Sequence, residues 1–127
     1  MILFRSESNE STRLAEEFAK ISDLNCELCE ADGYDFEVLE HLSLPIVLIL
    51  EKSPVLHKFL VKKEKDSKDV RAYRRRYLNN LRYVVVNCGD LAFAQFVDEG
   101  LKELGAKRLL NLSELSSEFV EDFKNKI

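Results

Sequence analysis

The stretch Ser6-Glu7-Ser8-Asn9-Glu10-Ser11-Thr12 puts four hydroxyls and an asparagine directly ahead of an apolar helical period. Hydroxyls at a helix start do one of two things. They cap the N–H groups that the first turn leaves unpaired. Or, with those N–H groups, they hold an anion such as phosphate, which the helix dipole favours. Asn9 tolerates a left-handed turn. Glu10 opposes the second use, because a carboxylate beside a dianion is repulsive. A second group of interest is Asn87-Cys88-Gly89-Asp90, followed by Phe93. Gly89 lets a planar ring approach the backbone, and a phenyl ring at Phe93 can stack on it. The alternative is that Phe93 and Phe96, at helical spacing, both belong to the core.

Other chemistry is thinly supported. No glycine-rich dinucleotide or P-loop spacing occurs. A Cys-x5-Arg phosphatase motif fails at all three cysteines, which are followed six residues on by Asp32, Asp35 and Ala94. A phosphoacceptor aspartate is missing at the end of the Pro45–Leu50 run, where Glu51-Lys52 stands. Cys26-x-x-Cys29 falls in an expected strand, so its thiols face opposite sides and suit neither a disulfide nor a zinc ion. His41 and His57 have no neighbours at ligand spacing and read as surface or edge histidines. Cys88 has no histidine near it in sequence to activate it.

The elements that must position these residues alternate along the chain. Short apolar runs at Met1–Phe4, Asn25–Glu30, Pro45–Leu50, Tyr83–Asn87 and Lys107–Leu112 read as strands. Helical periods fall at Ser11–Ile21, Asp35–Leu42, Val55–Leu81 (broken around Asp66-Ser67), Leu91–Leu104 and Ser117–Lys126. Gly105 is placed to cap the fourth of these helices. The third and fourth strands are apolar throughout, which predicts cover on both faces. Strands alternating with helices predict a doubly wound α/β sandwich with a parallel sheet, most commonly ordered 2-1-3-4-5. Ligands in such sheets lie beyond the carboxyl ends of the strands. That leaves Arg5–Thr12, Glu51–Pro54 and Asn87–Phe93 as the candidate site segments.

The chain has 127 residues, 46% hydrophobic and 33% charged, as expected for one globular domain spanning 1–127. No apolar run approaches the ~20 residues of a membrane helix. No secretory pattern opens the chain, and three cysteines form no disulfide framework, so a cytoplasmic location is expected. The net charge of −4 hides an asymmetry, with ten basic and three acidic residues between Lys58 and Arg82. The stretch Lys58–Arg76 is therefore either a solvated helix face or a docking surface for an acidic partner. The acidic remainder argues against nucleic acid as the main partner.

Ser6-Glu7-Ser8-Asn9-Glu10-Ser11 resembles the Ser-Gln-Thr-Gly-Thr-Ala phosphate loop of flavodoxins and of the flavin mononucleotide (FMN) domains of diflavin reductases. Leu14-Ala15-Glu16-Glu17-Phe18-Ala19 is similar to the first helix of that family, and Tyr34-Asp35 before an amphipathic turn also recurs there. Leu81-Arg82-Tyr83-Val84-Val85-Val86-Asn87-Cys88-Gly89-Asp90 resembles its L-R-Y-A-V-F-G-L-G-D, Ala92–Phe96 its S-Y-x-x-F, and Glu121-Asp122-Phe123 its closing E-D-F. The resemblance covers essentially the whole chain. It implies a flavodoxin-like fold and FMN held by Ser6, Glu7, Ser8, Asn9, Glu10, Ser11, Asn87, Cys88, Gly89, Asp90 and Phe93. It implies an electron carrier with a redox partner protein. One departure is plain: the long segment that shields one flavin face in diflavin reductases is reduced to Glu51-Lys52-Ser53-Pro54. A flavin-free module acting in protein interaction is the alternative.

Overall fold

The computed structural model describes residues 1–66 and 77–127. Five parallel strands, β1 (Ile2–Arg5), β2 (Glu27–Glu30), β3 (Ile46–Leu50), β4 (Arg82–Asn87) and β5 (Lys107–Arg108), lie in the order β2-β1-β3-β4-β5. The α-helices are α1 (Asn9–Ser22), α2 (Pro54–Asp66), α3 (Leu91–Glu103) and α4 (Ser117–Lys126), with 3-10 turns at Ala31–Gly33 and Phe36–His41.

Alternation along the central strands supplies two cores. Leu3, Val47 and Val84 lie in register and face α1 and α4, where Phe18 and Phe123 meet with ring centroids 5.6 Å apart. Phe4, Leu48 and Val85 also lie in register, facing the other way towards α2, α3 and the Phe36–His41 turn. All five residues of β3 are buried, so its unbroken apolar string is that of a strand covered twice. α2 and α3 approach closely at Gly100, where a Cβ would stand 3.2 Å from Leu60 Cδ1.

Several boundaries differ from the sequence reading. β5 pairs over two residues only, not over Lys107–Leu112. Leu109, Leu110 and Leu112 are apolar because they pack on the two cores while the chain bends away. The Asp35–Leu42 helix is a 3-10 turn started by the Asp35 carboxylate, which accepts from Glu37 N at 3.1 Å. Residues 77–80 form a turn rather than the end of a long helix, and Leu78 N donates to Leu104 O at 2.9 Å. The inward stripe of α1 is Ser11, Ala15, Phe18 and Ser22, whereas Ile21 is exposed. The arginine-rich part of the basic stretch, Arg71 to Arg76, lies outside the described residues, as does the expected break at Ser67. Of the described lysines, Lys62 and Lys63 reach the Glu37 carboxylate, at 3.9 and 2.9 Å.

Candidate functional site

Three strand-to-helix loops meet at the carboxyl end of the sheet. The first, Ser6–Ser8, joins β1 to α1. Ser8 is the N-cap, its Oγ accepting from Ser11 N at 3.1 Å. Ser11 itself turns inward and is fully buried. Its hydroxyl donates to Ile49 O and accepts from Ser6 N at 2.8 Å. Ser6 is buried too, and its Oγ accepts from Glu51 N at 3.2 Å. Two of the four hydroxyls therefore lash β1, α1 and β3 together. Arg5 donates to Ser6 O and to Thr12 Oγ1, both at 3.3 Å.

Asn9 and Glu10 are exposed in the first turn of α1. The Glu10 carboxylate grips Arg13 at 2.6 Å, and this contact holds it below the usual carboxylate range. Glu7 goes the other way. Glu30 first, then burial and more weakly Asp32, raise its carboxyl above the ordinary value, against the pull of Arg5.

The second loop is three residues long, Glu51 to Ser53, which agrees with the shortening read from the sequence. Ser53 is buried and does two jobs. Its Oγ accepts from Leu56 N at 3.2 Å, which caps α2, and donates to Asp32 Oδ1 at 2.7 Å.

The third loop follows β4. Asp90 caps α3, accepting from Phe93 N at 3.0 Å. Gly89 has φ +86°, a conformation costly for other residues, and space stands open where its Cβ would be. Asn87 N donates to Ser113 O at 2.9 Å, while its buried Oδ1 has no partner among the described residues. Cys88 is buried, and burial, with Glu51 and Glu10 adding, pushes its thiol up to about 11. It is neutral at physiological pH and no nucleophile. Phe93 is half-buried at the core margin, 6.3 Å from the Phe96 ring.

The structure brings both sequence-derived groups, 6–11 and 87–93, to one pole. It keeps Cys26 and Cys29 apart, one packed on each core. No cluster of His, Cys, Asp or Glu among the described residues could hold a metal ion, and no helix among them is long and apolar enough to cross a membrane. One contact escaped the sequence reading. His57 stacks on Phe96 at 4.8 Å, which no spacing rule marks.

A five-stranded parallel sheet ordered 2-1-3-4-5, with helices on both faces and its polar loops at the carboxyl pole, is a flavodoxin-like α/β fold. Among solved structures the chain is similar to the Streptococcus pneumoniae TIGR4 flavodoxin, with a TM-score of 0.67 and 15% identity, over 99% of this chain and 97% of that one. It is also similar to a short-chain flavodoxin associated with a non-canonical PDU bacterial microcompartment, with a TM-score of 0.62, 13% identity and coverage of 99% and 97%. No protein-family model and no curated protein sequence matches the chain.

Proposed function

We propose that the chain is a flavodoxin-like electron-transfer module that binds FMN across Ser6–Asn9 and Asn87–Phe93. The observation that carries this is the third loop. Asn87 Oδ1 is a buried acceptor without a donor, beside a glycine with open space and a half-buried phenyl ring. A planar heterocycle bearing a ring N–H fits that set. At the first loop, the N–H groups of the opening turn of α1 and the hydroxyl of Ser8 would hold the phosphate. Ser11 would shape the loop from beneath without touching it. FMN, when bound, supplies one- and two-electron redox chemistry. The chain would bind it, orient it through Asn87 and Phe93, and leave one ring face open because the second loop is so short.

The test is a titration of purified protein with FMN, followed by flavin absorbance and fluorescence. Saturable binding with a shifted flavin spectrum is expected, with weak rather than nanomolar affinity for a monomer. Sedimentation belongs alongside, because a neighbouring chain covering the open face would tighten binding. A colourless protein that leaves excess FMN unchanged favours the flavin-free interaction module. One feature supports that second reading: the Ser6 and Ser11 hydroxyls are committed to structure.

A further inference from the structure

α2 buries Leu56, Phe59 and Leu60 in the core and turns its opposite face to solvent. On that face His57, Lys58, Val61, Lys62 and Lys65 are linked by intervals of three and four residues, and all are exposed. Val61 is 43% exposed, and Val55 at the start of the helix 37%. Lys62 reaches the Glu37 carboxylate only at 3.9 Å, behind Lys63 at 2.9 Å. Lys58 and Lys65 make no ion pair among the described residues. This face adjoins the proposed ring site. The three-residue second loop starts α2 at the carboxyl pole. Phe93 of the third loop stands 6.3 Å from Phe96, which stacks on His57 at 4.8 Å. An aromatic row thus runs from the ring site out to the exposed face of α2.

Lys58, Lys62 and Lys65 span about 10 Å of helix. Outside Lys58–Arg82 the sequence has more than twice as many acidic as basic residues. The positive field is therefore local, and it draws carboxylates to this face while the rest of the surface repels them. That same acidic remainder opposes a long polyanion or an anionic bilayer. The valines between the lysines offer apolar contact that a phosphate backbone does not use. They are too short to reach into a lipid layer as the bulky residues of interfacial helices do. We infer that the Val55–Lys65 face of α2 is the docking surface for an acidic protein, one whose carboxylates surround a small apolar patch. Docking stands apart from flavin binding; its link to electron transfer rests on the FMN reading.

The experiment titrates the isotope-labelled, flavin-free protein with a short synthetic peptide of glutamate and leucine, and follows the backbone amides by NMR. Two triple variants carry the same change of charge. One is Lys58→Gln, Lys62→Gln and Lys65→Gln on this face; the other is Lys102→Gln, Lys124→Gln and Lys126→Gln elsewhere. All six side chains are exposed, and a urea midpoint confirms each fold. Expected are amide shifts centred on Val55 to Lys65, fading as salt rises. Binding should weaken about five- to tenfold in the α2 variant and less than about twofold in the control. Val61→Ser should cost about two- to threefold. Equal losses in both triple variants make the attraction one of net charge and overturn the proposal. So does tighter binding of a DNA duplex or of phosphatidylglycerol vesicles to the same face. Self-association in sedimentation that the α2 variant abolishes also overturns it, and assigns the face to a second copy. FMN is titrated in parallel. Docking without FMN binding upholds the surface and removes the flavin reading; FMN binding without docking does the reverse.

Discussion

The first and third loops are built alike and used differently. Each leaves a parallel strand, and each ends in a side-chain cap on the third N–H of its helix: Ser8 onto Ser11 N at 3.1 Å, Asp90 onto Phe93 N at 3.0 Å. Beyond the cap they diverge. The first loop spends its buried hydroxyls on cross-strand ties, with Glu7 and Glu10 exposed beside it. The third leaves an acceptor unpaired and a glycine with space beside it. A row of serines ahead of a helix is therefore as much a joint as a ligand site. What marks a ligand site is a polar atom with nothing to do.

The largest effect should come from breaking the joint. Ser11→Ala strands two buried groups, Ser6 N–H and Ile49 C=O, each worth roughly 1–3 kcal/mol when unpaired. A loss of about 2–4 kcal/mol in urea unfolding is expected. A loss no greater than that of a cap residue would mean that the hydroxyl is not the tie we describe.

Cys88 sits where the two loops meet, and it gives a pH signature. Its folded thiol is raised to about 11 from an ordinary value of 9.0, so the unfolded chain releases that proton first. The resulting stability is present below the unfolded value and is lost as pH rises from about 9 towards about 11. Cys88→Ala should flatten that part of the stability profile, as read by urea midpoints at a series of pH values.

The two caps offer a like-for-like check. Ser8→Ala and Asp90→Ala should each cost about 1 kcal/mol. Only the second removes a charge, and it should shift the amides around Gly89 while leaving those of the first loop in place. Gly89→Ala should cost a similar ~1 kcal/mol from its positive φ, and should weaken FMN while sparing the fold. Unchanged FMN affinity in this variant would count against a ring lying over the third loop.

The smallest effect is expected at Glu10. Its carboxylate is half exposed and turned onto Arg13. Glu10→Thr should therefore leave stability nearly unchanged, and alter FMN affinity by about twofold at most, more at low salt. A large gain in affinity would show that Glu10, although turned onto Arg13, repels the phosphate directly.

The frame was legible because burial on two faces writes itself into β3 and β4 as unbroken apolar runs, and because helices separate the strands. The fifth strand was over-read for the same reason turned around. Leu109, Leu110 and Leu112 are apolar to fill the cores, not to pair, and composition cannot tell these apart. The pole was legible at low resolution: topology put 6–11 and 87–93 together. The direction of each hydroxyl was not. Serine carries no hydropathy signal strong enough to say that Ser11 and Ser22 close the buried stripe of α1 while Ser8 stays at the surface.

Tyr83 lies fully buried at the start of β4, its hydroxyl donating to Asp98 O at 2.8 Å, with the Asp98 carboxylate held by Arg108. Burial first, and then Asp98, push its phenol far above the ordinary tyrosine range. The chain has four tyrosines and no tryptophan, so tyrosine governs its near-ultraviolet spectrum. In alkali, Tyr83 stays colourless as a phenol while the strand holds, and turns to the strongly absorbing phenolate only when β4 gives way. The protein thus carries an optical gauge of its own central sheet, one that reads the scaffold without any dye, label or bound cofactor.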